Sequence, residues 1–203
     1  YEKIDPVRFI GNYSSGKMGF ALAEACAERG AEVTLVAGPV SLKTHHPAIK
    51  RIDVESAGEM YQAAMTAFPS SDAAILCAAV ADYRPENASE QKIKRETERE
   101  MTLHLVPNPD IAASLGAIKR EGQVMVGFAL ETNDEATHAE GKLKRKNLDF
   151  IVLNSLRDQG AGFRCDTNKI TIIDNAGGVT SYPLKTKREV ACDIVNKLVT
   201  LLK

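Results

Sequence analysis

The sequence lacks an excess of charge of either sign and a long hydrophobic run. Its 203 residues carry 26 basic and 27 acidic side chains, a formal net charge of −1. This balance argues against binding of nucleic acid through global basicity. The longest apolar run, residues 73–81, is too short to cross a bilayer. We therefore expect neither nucleic acid nor a membrane as a partner.

Metal-binding and disulfide patterns of cysteine are also missing. The four cysteines, Cys26, Cys77, Cys165 and Cys192, form no C-x-x-C pair and no zinc-like spacing with histidine. We expect buried or half-buried free thiols, as in a reducing compartment. No segment joins a basic start to an apolar core as a signal peptide does, so a cytoplasmic protein is expected.

Several catalytic and nucleotide motifs are absent or incomplete. There is no P-loop and no evident Ser/His/Asp or Cys/His arrangement. A dinucleotide fingerprint lacks its first glycine, and the following strand ends in Ala37-Gly38-Pro39 without a carboxylate for a ribose. These missing features weaken the hypothesis of an NAD(P)-dependent reductase but leave it as an alternative.

The residues present suit a globular α/β protein, since 44% are hydrophobic and 26% are charged. Apolar runs alternate with amphipathic stretches. Strands are predicted over 32–37, 49–54, 72–80, 123–129 and 148–153, and helices over 18–30, 56–68, 109–120, 134–147 and 187–202. Residues 169–174 and 179–184 flank a hairpin signal at 175–178. We predict a single α/β domain over residues 1–203, a three-layer sandwich with a mainly parallel sheet and a C-terminal antiparallel hairpin appendage.

The start of the chain does not match a doubly wound sheet. The sequence begins at Tyr1 rather than at methionine, and no apolar strand precedes the first glycine loop. Such sheets normally open with a strand that leads into that loop. We expect the first strand to lie upstream of Tyr1.

The loop before the first helix is the first candidate site. Asn12 is followed by Ser14, Ser15 and Gly16, directly before the helix. A helix N-terminus offers unpaired N–H groups to an anion, and serines add donors. A serine-capped helix start explains the same residues equally well, so both interpretations stay open.

A second candidate site follows the most apolar strand. Ala78 and Ala79 allow a planar group to approach, and Asp82 can accept hydrogen bonds from hydroxyl groups. A turn or a helix cap is the alternative role for Asp82. The polar loop 86–100 that follows is long enough for a lid, and its Lys92 can reach phosphate oxygens. A solvated charged loop is the alternative.

A third candidate site combines Asn108, Pro109, Asp110 and Ile111, again after a strand. An N-cap with proline in the first helical turn explains this run without a ligand. Phe128 ends the next strand, where it can stack on a base, although a core position is more common for phenylalanine.

Two lysines share one face of the predicted helix 134–147. Lys142 and Lys146 lie four residues apart, a like-charge spacing that costs roughly 0.2–0.5 kcal/mol. Either a bound anion or acidic groups elsewhere in the fold can compensate, and we favour the anion. Together, the strand ends indicate a nucleotide-triphosphate site.

Six ordered segments across nearly the whole chain resemble the phosphopantothenate–cysteine ligase family of coenzyme A biosynthesis. They are 5–12 (DPVRFIGN), 14–19 (SSGKMG), 78–83 (AAVADY), 92–94 (KIK), 108–111 (NPDI) and 126–132 (VGFALET). The resemblance implies a Rossmann-like fold and a ligase domain, often the C-terminal half of a bifunctional bacterial protein fused to a flavin-dependent decarboxylase domain. The family's usual first strand and Gly-Pro-Thr turn are missing here.

The resemblance also implies a reaction. CTP activates the carboxylate of 4′-phosphopantothenate as an acyl-cytidylate, and L-cysteine then attacks to give phosphopantothenoylcysteine, CMP and pyrophosphate. Mg²⁺, held by the triphosphate, and a homodimer are implied as well. A nucleotide-sensing module without chemistry is a further alternative, beside the reductase.

Residue roles follow from the same resemblance. It implies that Asn12 contacts the acyl-cytidylate, that Arg8 and Ala78 assist the second half-reaction, and that Lys92 serves activation. The matched nucleotide-binding positions are Ser14, Ser15, Gly16, Ala79, Asp82, Asn108, Pro109, Asp110, Ile111, Phe128, Lys142 and Lys146.

Overall fold

A computed structural model describes residues 1–94, 100–131, 135–155 and 165–202. The helices are α1 (Lys17–Ala27), α2 (Ala57–Ala67), α3 (Ile111–Ile118), α4 (Glu135–Arg145) and α5 (Lys187–Leu201). The strands are β1 (Glu2–Asp5), β2 (Arg8–Ile10), β3 (Val33–Ala37), β4 (Ile49–Asp53), β5 (Ala73–Leu76), β6 (Tyr83–Pro85), β7 (Leu105–Pro107), β8 (Val124–Glu131), β9 (Phe150–Ser155), β10 (Thr167–Asn168), β11 (Ile170–Asp174), β12 (Val179–Ser181) and β13 (Lys185–Thr186).

The main sheet has five strands in the order β12-β11-β9-β8-β5. β5, β8 and β9 run parallel, while β11 and β12 are antiparallel additions. β3 and β4 form a separate parallel pair. The predicted C-terminal hairpin is confirmed, but it continues the main sheet through β11 and β9 instead of standing apart as an appendage.

The three layers follow from the alternation of side chains along each strand. Val126, Val152 and Ile172 point to a core shared with α1 and α5. Met125 and Ile151 point to the opposite core, which includes residues of α3 and α4. The chain is therefore an α/β protein with a Rossmann-like arrangement of helices on both faces of a sheet.

The sequence pattern did not predict three short antiparallel pairs of strands. β1 and β2 pair with each other, so the segment before the glycine loop is a hairpin where no strand was predicted. Its side chains do not form an apolar run, which explains the error. β6 pairs with β7 across the predicted lid loop, and β10 pairs with β13. Residues 95–99 of that loop lie outside the described residues.

Two boundary predictions were also wrong. The apolar run 72–80 forms a strand only over β5, because residues 77–80 turn away at the edge of the sheet. Helix α3 begins at Ile111 with Asp110 as its N-cap, so Pro109 precedes the helix instead of occupying its first turn.

Candidate functional site

The glycine loop ends in a residue that only glycine accommodates easily. Gly16 occupies the N-cap position of α1 with φ 77°, in the left-handed region. A Cβ there would also lie 3.1 Å from Val40 Cγ1. Of the two interpretations left open, the serine cap does not apply, because Gly16 is the N-cap residue and no side chain caps α1. This arrangement suits an anion at the start of α1.

Asn12 joins the glycine loop to the carboxyl end of β5. Its Nδ2 donates to the carbonyl oxygen of Ala79, and its Oδ1 accepts from the backbone N–H of Ser14 at 2.9 Å. Asn12 and Ala78 are exposed, and Ala79 is half-buried. The structure thus brings together residues that lie more than 60 positions apart in the sequence.

The cysteine nearest this edge is not a reactive thiol. Burial raises the pKa of Cys77 to about 12, so it remains protonated and a poor nucleophile. All four cysteines are free, as predicted, but Cys165 is exposed instead of buried or half-buried.

Asn108 lies against the segment that carries Asp82. Its backbone N–H donates to the carbonyl oxygen of Asp82 at 2.8 Å, and its Nδ2 donates to that of Ala81 at 2.9 Å. Arg84 Nη1 donates to Asn108 Oδ1 at 3.2 Å. These contacts hold the backbone at Ala81 and Asp82, and the side chain of Asp82 is exposed.

Asp110 and Lys146 have structural partners. Asp110 caps α3 by accepting from Ala113 N at 3.0 Å, and Lys146 Nζ lies 3.0 Å from Asp110 Oδ2. Burial alone would raise the pKa of Asp110, but the hydrogen bonds from Ala113 and Lys146 outweigh it and leave the pKa below its usual value. An acid elsewhere in the fold thus compensates Lys146, and the structure does not require the anion that the spacing favoured.

The other residues of this group, Lys142, Phe128 and Ile111, are half-buried. Lys142 is half-buried in the last turn of α4, where the helix dipole favours cations. Phe128 is half-buried and packs against the core beside α1 and α5, and Ile111 packs against the opposite core. Both side chains thus contact a core while remaining partly exposed, and their nucleotide-binding role stays a prediction.

Arg8 binds Ile93, the residue that follows Lys92. Arg8 donates through Nε to Asp5 Oδ2 at 2.9 Å and through Nη2 to the carbonyl oxygen of Ile93 at 2.8 Å. Lys92, the residue before Ile93, is exposed. β1 and β6 are in contact, so this hairpin lies beside the strand that follows Asp82.

A cluster of charged residues beside the glycine loop was missed by sequence reasoning. Lys17, the first residue of α1, forms an ion pair with Asp166 at 2.6 Å. Lys187 is buried at the start of α5, and burial, with the nearby charge of Lys17, lowers its pKa. Lys17 lies 149 positions before Asp166, so no local pattern could have related it to the other two residues.

Two further observations concern metals and membranes. Within the described ranges, no three His, Cys, Asp or Glu side chains come close enough together to hold a metal ion. The same part of the chain contains no helix that combines the length and the apolar character needed to cross a membrane.

These features define a class: a Rossmann-like α/β protein in which polar residues of several loops meet beyond the carboxyl end of the parallel strand β5. Residues 1–202 match the model of one family, and the chain belongs to it: the DNA/pantothenate metabolism flavoprotein C-terminal domain.

The chain is also similar to two curated proteins and to one solved structure. A protein of an unknown prokaryote, named cysteine/cysteine sulfinic acid decarboxylase, is 59% identical over 99% of this chain and 56% of its own length. The coenzyme A biosynthesis bifunctional protein CoaBC of Vibrio parahaemolyticus is 48% identical over 99% of this chain and 50% of its own length. The crystal structure of a CoaBC C-terminal domain superposes with a TM-score of 0.82 at 38% identity, covering 98% of this chain and 89% of that one. The chain thus spans about half the length of the curated relatives it matches.

Proposed function

We propose that this chain is a phosphopantothenate–cysteine ligase domain that uses CTP. Family membership and the likeness to CoaBC proteins support the pathway. The observation that carries the proposal is the hydrogen bond from Asn12 to Ala79, which joins two of the segments that resemble the ligase family.

The first half-reaction is activation of the acid. A carboxylate oxygen of 4′-phosphopantothenate attacks the α-phosphorus of CTP, the bond to the bridging oxygen breaks, and pyrophosphate leaves. Lys92 is exposed and precedes Ile93, which Arg8 binds, and its ammonium offsets charge on the departing phosphates. Asp82, oriented by Asn108, accepts from the ribose hydroxyls.

The second half-reaction forms the amide. The amine of L-cysteine attacks the acyl carbon of the cytidylate, the bond to CMP breaks, and the amine loses a proton. Asn12 can donate to the developing oxyanion without titrating, and Arg8, which is paired through Nε and Nη2 with Asp5, assists this step. Ala78 leaves room for the planar acyl group. The enzyme's own cysteines take no part.

Magnesium supplies charge neutralisation at the phosphates when bound. Mg²⁺ usually keeps several waters and uses one or two carboxylates together with phosphate oxygens. The described residues offer exposed single carboxylates such as Asp82, which fits an ion carried mainly by the triphosphate. We further propose a homodimer, a cytoplasmic location, and fusion to a flavin-dependent decarboxylase domain.

The test is a product assay on the full-length protein with each component omitted in turn. We expect pyrophosphate and CMP only when CTP, 4′-phosphopantothenate and Mg²⁺ are all present, with CMP release also requiring L-cysteine. ATP in place of CTP tests the choice of base.

Three outcomes would overturn the proposal. Tight NADPH binding without CTP binding would indicate a reductase. CTP binding without pyrophosphate release would indicate a sensing module. Carbon dioxide release from cysteine or its sulfinic acid, with no requirement for CTP, would favour the activity named for the 59% identical relative.

A further inference from the structure

A buried carboxylate outside the proposed reaction steps holds the segment that carries Lys92. Asp5 ends β1, and its side chain is 0% exposed. Asp5 Oδ1 accepts from the backbone N–H groups of Val7 and Arg8, both at 2.9 Å. Asp5 Oδ2 accepts from Arg8 Nε at 2.9 Å, from Arg8 Nη2, and from the backbone N–H of Ile93 at 3.2 Å.

Both backbone groups of Ile93 are therefore held by the β1–β2 hairpin. Its N–H donates to Asp5, and its carbonyl oxygen accepts from Arg8 Nη2 at 2.8 Å. A second tie joins the same stretch to β1, since Ser89 N donates to the carbonyl oxygen of Ile4 at 2.9 Å. The two neighbours of Ile93, Lys92 and Lys94, are exposed.

We propose that Asp5 is a positioning residue, which acts through Arg8 and Ile93 to hold Lys92 toward the nucleotide phosphates. This inference rests on the proposed function. It also gives Arg8 a second role: Arg8 supports activation as part of the clamp on Ile93, in addition to its part in amide formation.

The chemistry of the contact requires a carboxylate. Five donor groups converge on two oxygens, and only an ionised carboxylate accepts from all of them. An asparagine would turn an NH₂ group toward Arg8 or the Ile93 amide and leave donors unpaired. The Arg8 guanidinium holds the pKa of Asp5 well below its usual range, so the clamp stays charged at neutral pH.

The first measurement needs no substrate. Hydrogen exchange at the Ile93 amide is compared in wild type, Asp5→Asn, Arg8→Gln and the control Asp193→Asn, which breaks an ion pair with Lys185 on α5 and β13. We expect roughly tenfold faster exchange in the first two variants and no change in the control, because only the former lose the clamp. Equal exchange in all four proteins would refute the clamp. Arg8→Gln keeps this test decisive if Asp5→Asn does not fold, since Arg8 is exposed.

The second measurement separates positioning from general support of the fold. Single-turnover pyrophosphate release is followed in Asp5→Asn, Lys92→Gln and the double variant. We expect Asp5→Asn to slow release by roughly 10- to 100-fold in the wild-type background and less than about twofold in the Lys92→Gln background, because Asp5 acts through Lys92. If the double variant instead loses rate by the product of the two single losses, Asp5 does not act through Lys92 and the inference is wrong.

The two measurements also separate this inference from the proposed function. If wild type releases no pyrophosphate, the ligase proposal fails and the catalytic role of the clamp fails with it, while exchange still decides whether Asp5 holds Ile93. If wild type is active but Asp5→Asn releases pyrophosphate normally, only the positioning role is wrong.

Discussion

At the scale of single residues, the Asn12 side chain matters because both ends of its amide are used. Its Nδ2 donates to Ala79 and its Oδ1 accepts from Ser14 N, so the side chain has one orientation. An amide can donate both to this loop and to an oxyanion, whereas a carboxylate can only accept. Residue identity at position 12 therefore controls both loop geometry and the chemistry proposed for it.

Replacement of Asn12 by Asp tests that role. We expect Asn12→Asp to form the acyl-cytidylate but to slow amide formation by about 10²–10³-fold, since the oxyanion donor is lost. Rapid quench with labelled CTP should show the intermediate accumulating. Asn175→Asp, which adds the same charge in the hairpin turn between β11 and β12, should behave as wild type. Equal slowing of both half-reactions would count against the assigned role.

Lys92 belongs to the opposite half of the reaction. We expect Lys92→Gln to slow pyrophosphate release in a single turnover by about 10²-fold while leaving amide formation from preformed cytidylate unchanged, because the lysine charge is needed only as pyrophosphate leaves. Exposed Lys43, on a loop between β3 and β4, provides a matched control as Lys43→Gln. Unchanged release in Lys92→Gln would remove the residue from the activation step.

At the scale of elements, the contact between α3 and the turn that follows α4 brings Asp110 and Lys146 next to each other. A Cβ on Gly116 would lie 2.2 Å from the carbonyl oxygen of Lys146, so α3 approaches that turn as closely as only glycine permits. Asn147 Nδ2 donates to the Gly116 carbonyl at 3.0 Å. The pairing of Asp110 with Lys146 thus depends on helix packing, not on either residue alone.

An alanine at this position should disturb the packing. We expect Gly116→Ala to lower the free energy of unfolding by roughly 1–3 kcal/mol, because a backbone oxygen must move. Gly141→Ala in α4, where the added Cβ would meet nothing within 4 Å, should raise it by about 0.5–1 kcal/mol. Urea denaturation measures both changes. A neutral or stabilising Gly116→Ala would show that the two elements separate without loss.

At the scale of the whole molecule, ionised carboxylates bind partners both near to them and distant from them along the chain. A hydrogen bond from a partner side chain is the largest cause of a lowered pKa in each of four: Asp5 with Arg8, Asp166 with Lys17, Asp174 with Lys197, and Glu189 with Thr186. The net charge of −1 conceals these local pairings. They make the stability of the fold sensitive to acid.

The direction of that pH dependence follows from the lowered pKa values. A carboxyl group with a lower pKa in the folded state stabilises the protein above its unfolded pKa of about 4, and this contribution is lost as the pH falls through the folded pKa. We expect the free energy of unfolding to stay level from about pH 8 to 5 and to fall below about pH 4. Asp174→Asn, which weakens the pair with Lys197, should be less stable than wild type at neutral pH, and the gap should narrow below about pH 4. A gap that widens in acid would contradict this linkage.

Much of the architecture could be predicted because it depends on local patterns. The alternation of apolar runs and amphipathic stretches indicated β3, β4, β5, β8 and β9 with the helices around them. Ser56, the first residue of the predicted helix 56–68, is the N-cap of α2. The ordered motifs indicated the family. Short strands such as β1, β2, β6 and β7 could not be predicted, since three or four half-exposed residues leave no periodic signal.

The sequence by itself determined the α/β class, the C-terminal hairpin and the family, because periodicity, turn residues and motif order are properties of neighbouring residues. Only the tertiary structure decided which charges meet. Spacing within α4 could not show that Asp110 pairs with Lys146, nor could the motif at 5–12 show that Asp5 and Arg8 hold Ile93. Such partners are brought together by packing of distant elements, and ion pairs and hydrogen bonds act only over a few ångströms. The residues that shape the proposed site were visible in the sequence, but their partners became known only from the fold.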